Sequence, residues 1–203
     1  MNVALKTENV CVIDHLLPQK DFLEVWDGLQ SEQFSAPHMQ GKWLKAWRLT
    51  GGSPLWGPPK HRRTGDYLDV VWDAFMKLRV EHPEFVTKPG MTLTPYIYPP
   101  GTKLAWHADH DYAGAFTYYC HPQWGATWGG ELLIATTKSE KQHRSGLEHR
   151  WEDEYLLAEG HGLYIACKPN RIVLQKPGTW HAINRVDSDA GDHLRVSIVA
   201  FFE

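Results

Sequence analysis

The sequence predicts a mainly β protein with N-terminal helices, an α+β class in which a β-sandwich or barrel carries helices packed on one face. Three observations lead to this prediction. The 203 residues are enough for one domain with a sizeable core. Two stretches before residue 90 repeat apolar residues at helical spacing. After Met91 the chain becomes a series of short β-type runs separated by turn residues.

The first 90 residues are expected to support the sheet. A short strand is predicted within "VCVIDHLL", Val10–Leu17, and Asp21 is expected to open the first helix. Asp66 is expected to cap the second helix, and Pro83 to end it. "KWLKAWRLT", which lies between the helices, is compatible with another strand. The apolar faces that should cover the sheet comprise Phe22, Val25, Trp26 and Leu29 in the first helix and Leu68, Val71, Trp72, Phe75 and Leu78 in the second.

Residues 91–203 are predicted to form the β core. The strand-like runs are "MTLTPYIY", "AFTYYC", "ELLIAT", "HGLYIAC", "RIVLQ", "HAINRV" and "LRVSIVAFF". A polar and charged segment near 137–160 interrupts them and is interpreted as an insertion. Since no internal repeat is visible, we expect residues 1–203 to form a single domain.

Composition argues against several classes of partner. The chain has 21 basic and 24 acidic residues and a net charge of −3, whereas nucleic-acid binding usually needs a basic surface. No apolar run is long enough for a membrane span. The three cysteines form no CxxC pair, which favours reduced thiols and a cytoplasmic location. The pattern gives no indication of an oligomeric state.

The stretch "AWHADHDY" contains the first candidate metal ligands. In a strand, His107 and Asp109 would project to the same side, so an imidazole nitrogen and a carboxylate oxygen would face one ion. The neighbouring His110 and Asp111 are alternatives that spacing alone does not exclude. A His-x-Asp pair is common by chance and carries little weight without further ligands.

Two later stretches strengthen the metal hypothesis. "PGTWHAINRV" places His181 in a strand-like run, and two histidines with one carboxylate form the facial triad of non-haem Fe(II) oxygenases. In "LRVSIVAFF", Arg195 and Ser197 share one face of a predicted strand that is otherwise apolar. A buried arginine needs an anionic partner, and a carboxylate that accepts two hydrogen bonds is the natural one.

The chain resembles the Fe(II)/2-oxoglutarate-dependent dioxygenases, in particular their prolyl-4-hydroxylase-like branch. The resemblance lies in the order and spacing of "YPPGTKLAWHAD", "WGGELLIA", "KPNRIVLQ", "WHAINRV" and "LRVSIVAFF", and covers residues 96–202. It implies a double-stranded β-helix, or jelly-roll barrel, with Fe(II) at its mouth and with 2-oxoglutarate and dioxygen as cosubstrates. "LQKPGTW" departs from the Phe-rich approach to the distal histidine that is usual in the family, which bears on the substrate.

The family's functional residues carry over to particular positions. His107, Asp109 and His181 match the iron ligands. Arg195, Ser197 and Tyr98 match the residues that bind the far carboxylate of 2-oxoglutarate, with Tyr96 as the alternative tyrosine. The "GGE" stretch, residues 129–131, matches a structural turn. Candidate substrate contacts are Trp124, Trp128, Arg185 and His193.

The resemblance implies an enzyme that hydroxylates an unactivated C–H bond and releases succinate and CO2. We expect a small-molecule substrate, such as an amino acid or a natural-product intermediate, because the chain reads as one domain without a docking segment. The alternatives are a peptide or protein hydroxylase of the same superfamily and a non-catalytic, cupin-like metal-binding module. A zinc hydrolase would leave Arg195 and Ser197 unexplained. A nucleic-acid demethylase does not fit the acidic net charge.

Overall fold

The structure is a computed structural model that describes residues 1–36, 49–50, 54–136 and 160–203. Most of "KWLKAWRLT" lies outside the described residues, and so does the predicted insertion near 137–160 apart from Gly160. The described residues contain no helix that is both long enough and apolar enough to cross a membrane.

Within the described residues, two α-helices accompany twelve strands. The helices are α1 (Gln19–Gln30) and α2 (Asp69–Glu81), and short 3-10 helices cover Pro83–Phe85 and Ser188–Ala190. The strands are β1 (Asn2–Lys6), β2 (Val10–Asp14), β3 (Leu49–Thr50), β4 (Leu55–Trp56), β5 (Met91–Tyr98), β6 (Lys103–His107), β7 (Ala115–Tyr119), β8 (Leu132–Ala135), β9 (Gly162–Ile165), β10 (Arg171–Gln175), β11 (His181–Ile183) and β12 (Arg195–Phe202).

The strands form two antiparallel sheets. The larger has seven strands in the order β1-β2-β10-β7-β12-β5-β4, and the smaller has five in the order β3-β6-β11-β8-β9. Some neighbours in each sheet are distant in sequence, as when β12 lies between β5 and β7. This mainly β, antiparallel arrangement is consistent with the jelly roll that the resemblance implies.

The strands predicted after Met91 are all present, and two of them, β5 and β10, have the predicted bounds. Two expectations about the helices need correction. The first helix begins at Gln19, after Pro18. The second helix begins at Asp69 and its N-cap is Leu68. Asp66 instead accepts the backbone N–H of Leu68 in the preceding turn, at 2.9 Å, so its carboxylate shapes the approach to the helix.

Strand β1 was missed because it lacks the expected pattern. Its five residues are all exposed, so no alternation of apolar and polar residues marks it. Its pairing with the fully buried β2 accounts for its conformation. It forms one edge of the seven-stranded sheet.

The two faces of the seven-stranded sheet contribute to different hydrophobic cores. One core joins the buried faces of both helices to the sheet, as in the edge-to-face contacts that Phe75 makes with Phe116 and Tyr118, at 5.8 and 6.3 Å between ring centroids. The other core includes residues of both sheets, among them Val173 of the larger and Ile134 of the smaller. The interior of the second core is where the candidate site lies.

Buried polar side chains anchor the N-terminal segment to the β core. The Asn170 side chain donates to the carbonyl of Leu17 and accepts from the Leu17 N–H and from the Tyr118 hydroxyl, at 2.8 to 3.0 Å. Its φ of 58° is a left-handed conformation that asparagine tolerates well. Both ends of the amide are therefore hydrogen-bonded, and it fixes the start of α1 against β7.

The three cysteines, Cys11, Cys120 and Cys167, are buried free thiols. Burial raises the pKa of the Cys120 thiol well above its ordinary value, so this thiol stays protonated and unreactive.

His121 is a buried neutral histidine next to β7. Its Nε2–H donates to the carbonyl of Cys167 at 2.7 Å, and its Nδ1 accepts the N–H of Val196 at 3.2 Å. Burial lowers the pKa of His121 from 6.5 to about 4. The neutral ring therefore links two segments of backbone.

This depressed pKa predicts a pH-dependent loss of stability. Between pH 6.5 and about 4 the unfolded chain binds a proton at His121 that the folded protein does not, so the free energy of unfolding falls as the pH falls. The contribution is up to about 3 kcal/mol. In urea unfolding at several pH values, His121→Gln should show a shallower fall over this window than the wild type, whereas the exposed His193→Gln should follow the wild type. Parallel curves for wild type and His121→Gln would contradict the prediction.

Candidate metal centre and its cavity

Two histidines face each other across neighbouring strands. β6 and β11 are antiparallel, and His107 is directly opposite His181 in their register. Their ring centroids are 4.2 Å apart, and both side chains are more than nine-tenths buried. Asp109 lies two residues beyond the end of β6, so the segment after the strand brings its carboxylate to the pair. The sequence had suggested strand alternation instead.

Both imidazole rings hydrogen-bond to backbone carbonyls through Nδ1. The Nδ1–H of His107 donates to the carbonyl of Ala105 at 2.7 Å, and that of His181 donates to the carbonyl of Thr179 at 2.9 Å. Each Nε2 therefore carries a lone pair. The Nε2 of His107 is 3.9 Å from Asp109 Oδ1, and that of His181 is 3.5 Å from Oδ2.

This donor set fits a divalent transition metal. The three residues each offer one ligand atom, and these atoms lie within 4.8 Å of one another. Two neutral imidazoles with backbone partners and one carboxylate form a set that suits Fe(II) or Zn(II) and leaves further coordination positions open.

The competing residues of "HADHDY" lie elsewhere. His110 and Asp111 are exposed, and neither belongs to the cluster of three ligands. His110 lies against the edge of Trp180, with 6.4 Å between the ring centroids.

The three residues open onto a cavity of about 260 Å³ between the two sheets. The cavity is mainly apolar and aromatic, and no lysine or arginine is among the described residues that line it. Besides the triad, its wall consists of Pro54, Trp56, Tyr96, Tyr98, Leu104, Tyr112, Ala115, Thr117, Leu132, Gln175, Ile183, Ser197, Val199 and Phe201.

Arg195 lies behind the inner end of this cavity. Its side chain is completely buried. The guanidinium donates from Nε to the carbonyl of Gly130 at 2.7 Å and from Nη1 to the Ser197 hydroxyl at 3.4 Å. Among the described residues, Nη2 has no hydrogen-bond partner and no carboxylate pairs with the cation. Because Ser197 and Tyr98 line the cavity, an anion bound there can reach a charge that the described protein leaves uncompensated.

Two tyrosine rings flank the guanidinium. Its central carbon is 4.6 Å from the ring centroid of Tyr98 and 5.1 Å from that of Tyr119. Burial raises the pKa of Tyr98 to about 12, although the nearby Arg195 opposes the shift. Burial raises the pKa of Tyr119 as well, so both phenols remain hydrogen-bond donors.

Tyr119 is a candidate that the sequence reasoning missed. Its hydroxyl is buried and has no partner among the described residues. The register places Tyr119 opposite Ser197, and this pairing turns it toward the arginine. The stretch "TYYC" indicated that one of the two tyrosines would face the interior between the sheets, since adjacent residues in a strand point to opposite faces. Which tyrosine does so depends on the strand register, which cannot be derived from the sequence.

The "GGE" turn has a steric role in positioning Arg195. Gly130 has a φ of 74°, and a Cβ added there would lie 2.7 Å from the Cδ of Arg195. At Gly129, also at positive φ, an added Cβ would lie 2.0 Å from the carbonyl of Arg185. The two glycines let the turn approach the arginine closely enough to accept its Nε–H. Glu131, which follows, is buried and accepts from the Asn184 side chain at 2.9 Å.

The four predicted substrate contacts lie away from the described cavity wall. Trp124 donates to the carbonyl of Gly129 and packs edge to face with Trp128, at 5.3 Å between ring centroids. Trp128 in turn stacks on His193 at 4.4 Å. Arg185 is exposed and donates to the carbonyl of Gly101 at 2.8 Å. The two tryptophans and the histidine form a separate aromatic cluster, and a role in substrate binding remains a hypothesis for all four residues.

No protein-family model matches the chain, and no curated protein sequence matches it. Solved structures do match over nearly its whole length. A prolyl-4-hydroxylase from Pseudomonas putida is 15% identical with a TM-score of 0.69, and the match covers 97% of this chain and 94% of that one. A prolyl hydroxylase from Trichoplax adhaerens, in complex with a peptide fragment of hypoxia inducible factor, is 17% identical with a TM-score of 0.69, covering 97% and 84%.

A third structure is HygX from Streptomyces hygroscopicus, with nickel, 2-oxoglutarate and hygromycin B bound. It is 10% identical with a TM-score of 0.58, and the match covers 96% of this chain and 82% of that one. A Burkholderia pseudomallei 2OG-Fe(II) oxygenase also matches, at 10% identity and a TM-score of 0.60, covering 95% and 84%. The resemblance seen in the motifs is thus confirmed at the level of fold: the chain has the fold of the prolyl-4-hydroxylases and other 2OG-Fe(II) oxygenases.

Proposed function

We propose that this protein is an Fe(II)- and 2-oxoglutarate-dependent oxygenase that hydroxylates an unactivated C–H bond of a small metabolite. The observation that supports it most strongly is the pairing of two features in one cavity. His107, Asp109 and His181 offer a facial set of metal ligands, and a buried arginine without an acidic partner among the described residues lies behind the inner end. A zinc hydrolase or an inert binding module would account for the first feature and not for the second.

The residues have distinct roles in this proposal. The triad holds Fe(II), which together with 2-oxoglutarate and dioxygen supplies the oxidising chemistry and yields succinate and CO2. In this proposal Arg195 binds the far carboxylate of 2-oxoglutarate. Ser197, whose hydroxyl accepts from the guanidinium, and Tyr98 and Tyr119, whose rings flank it, are assigned as further contacts to the same group. The apolar wall excludes water and orients the C–H bond.

The small-metabolite assignment is supported by the size of the cavity. About 260 Å³ is below the usual range for pockets that hold drug-sized ligands, and 2-oxoglutarate must share it. The structural neighbours include one solved with hygromycin B and one with a peptide. A peptide or protein substrate is therefore the alternative that the experiment must also include.

The decisive experiment is a screen for succinate release that depends on added compound. Amino acids, natural-product precursors and short peptides should be incubated with protein, Fe(II), 2-oxoglutarate and air, and products should be identified by mass. We expect a small molecule to stimulate release and to gain one oxygen. If only peptides stimulate succinate release, the substrate is a peptide or protein and not a small metabolite. Absence of Fe(II) and 2-oxoglutarate binding would indicate a non-catalytic module.

The metal site can be tested by removing single ligands. His181→Ala and Asp109→Ala should each weaken Fe(II) binding at least about 100-fold, because even residues that only support metal ligands commonly contribute 10- to 100-fold. Anaerobic titration of the protein and saturating 2-oxoglutarate with Fe(II), followed by the visible charge-transfer band, measures this affinity. Asp111→Ala and His110→Ala are matched controls that should titrate like the wild type. An unchanged band in Asp109→Ala together with its loss in Asp111→Ala would reassign the carboxylate ligand.

The role of Arg195 predicts a specific change in cosubstrate affinity. Arg195→Leu should raise the dissociation constant for 2-oxoglutarate roughly ten- to a hundredfold, the equivalent of about 1.5–3 kcal/mol for a charge-assisted hydrogen bond. Arg195→Lys should also bind more weakly, since it loses the planar guanidinium. The fold should survive because no described carboxylate loses a partner. Circular dichroism checks folding, and the exposed Arg185→Leu is the control. Unchanged affinity in Arg195→Leu would place the anchor elsewhere.

A further inference from the structure

The cavity has a second polar group at the end farthest from Arg195. Gln175, the last residue of β10, is opposite Ala115 of β7, and Ala115 is opposite Phe201 of β12. Phe201 lies six residues from Arg195 on the same strand, which corresponds to about 20 Å along the sheet. Gln175, Ala115 and Phe201 all line the cavity, so this row marks its outer end.

The amide nitrogen of Gln175 is buried without a partner among the described residues. Its side chain is 2% exposed, and its Nε2 makes no hydrogen bond with any described residue. Thr117, a polar residue of β7, lines the same cavity. A buried amide that gains no hydrogen bond destabilises the folded state, so its presence in a cavity wall indicates a partner that arrives from outside the protein.

We propose that Gln175 recognises the substrate by hydrogen bonding to a neutral polar group, an amide carbonyl or a hydroxyl, with Thr117 as a second contact. This inference rests on the proposed function and specifies the substrate class of the same site. The guanidinium of Arg195 reaches Ser197, and the row of Gln175 lies four residues, about 13 Å along the sheet, beyond it, so we assign Gln175 to the substrate and not to 2-oxoglutarate. The group is neutral because no cation lines the described cavity to pair with an anion.

The outer end also offers a route for the rest of the substrate. A second cavity, of about 340 Å³, shares the side chains of Trp56, Tyr96, Tyr112 and Phe201 with the first. Tyr112 stacks on Phe201 with ring centroids 4.2 Å apart, and Trp56 packs against the edge of Tyr96 at 5.6 Å. The carbon skeleton of a substrate held by Gln175 can extend across these rings into the second cavity.

Two measurements on Gln175→Met, which keeps the length of the side chain and removes its amide, test the proposal. The first needs no substrate: the ligand-free variant should melt at a higher temperature than the wild type, because an unpaired buried amide has been replaced by an apolar group. Gln30→Met, at an exposed glutamine of α1, is the matched control and should leave the melting temperature unchanged. A lower melting temperature in Gln175→Met would show that the amide supports the fold, and would overturn the proposal.

The second measurement uses primary amides and polyols together with analogues in which the polar group is replaced by a methyl group. For the polar compounds that stimulate succinate release, Gln175→Met should lower kcat/KM by at least about 100-fold, since sites built to hydrogen-bond a substrate discriminate strongly against its loss. The analogues should be affected little. The charge-transfer band with Fe(II) and 2-oxoglutarate should persist in the variant. An unchanged kcat/KM in Gln175→Met would overturn the proposal. Absence of the charge-transfer band in the wild type would overturn the proposed function, and the melting temperatures would then test the role of Gln175 alone.

Discussion

The candidate site depends on the register between β6 and β11. This pairing places His107 opposite His181 and leaves their rings 4.2 Å apart at one end of the five-stranded sheet. A slip of one residue would turn one imidazole to the other face of the sheet, since side chains alternate along a strand. The register is held from the other side as well, because β11 also pairs with β8, where Ile134 is opposite His181. The two candidate histidine ligands are therefore positioned by the backbone pairing of β11 with β6 and with β8, although the β6–β11 register is irregular between His181 and Ile183.

The second constraint is the burial of a cation in the facing sheet. Arg195 stays charged because a guanidinium cannot lose its proton in a protein. Its burial is compensated only in part, by the carbonyl of Gly130 and by the rings of Tyr98 and Tyr119. The outer face of the same strand, with Ile198 in the helix-backed core, supplies the packing that holds the arginine in place. A buried arginine with no acidic partner attracts an anion more strongly than an exposed, solvated arginine does.

The sequence predicted much of this arrangement because order and spacing carried the information. The strands after Met91, the ligand set and the Arg195–Ser197 pair all follow from local patterns. Features that depend on distant pairings could not be derived from these patterns. Tyr119 became a candidate only when the register set it opposite Ser197. Trp124 and Trp128 looked like pocket residues by type, but nothing in their local pattern shows that they pack against each other away from the described cavity. Asp109 was expected in a strand, and its carboxylate converges from a position beyond the strand's end.

The two ends of the cavity differ in charge and polarity. At the inner end the hydroxyl-bearing residues Tyr98 and Ser197 line the cavity in front of the buried Arg195. The outer end has a neutral amide and aromatic rings, and the triad lines the same cavity. An anionic, compact ligand is favoured at the inner end by a low-dielectric electrostatic interaction that falls off along the cavity. A larger neutral molecule gains nothing there and is favoured where it buries apolar surface and satisfies Gln175. Under the proposed function, the two ends discriminate between 2-oxoglutarate and substrate by different physical means. In that case, changes at the outer end alter the choice of substrate and leave the proposed 2-oxoglutarate and metal sites unchanged.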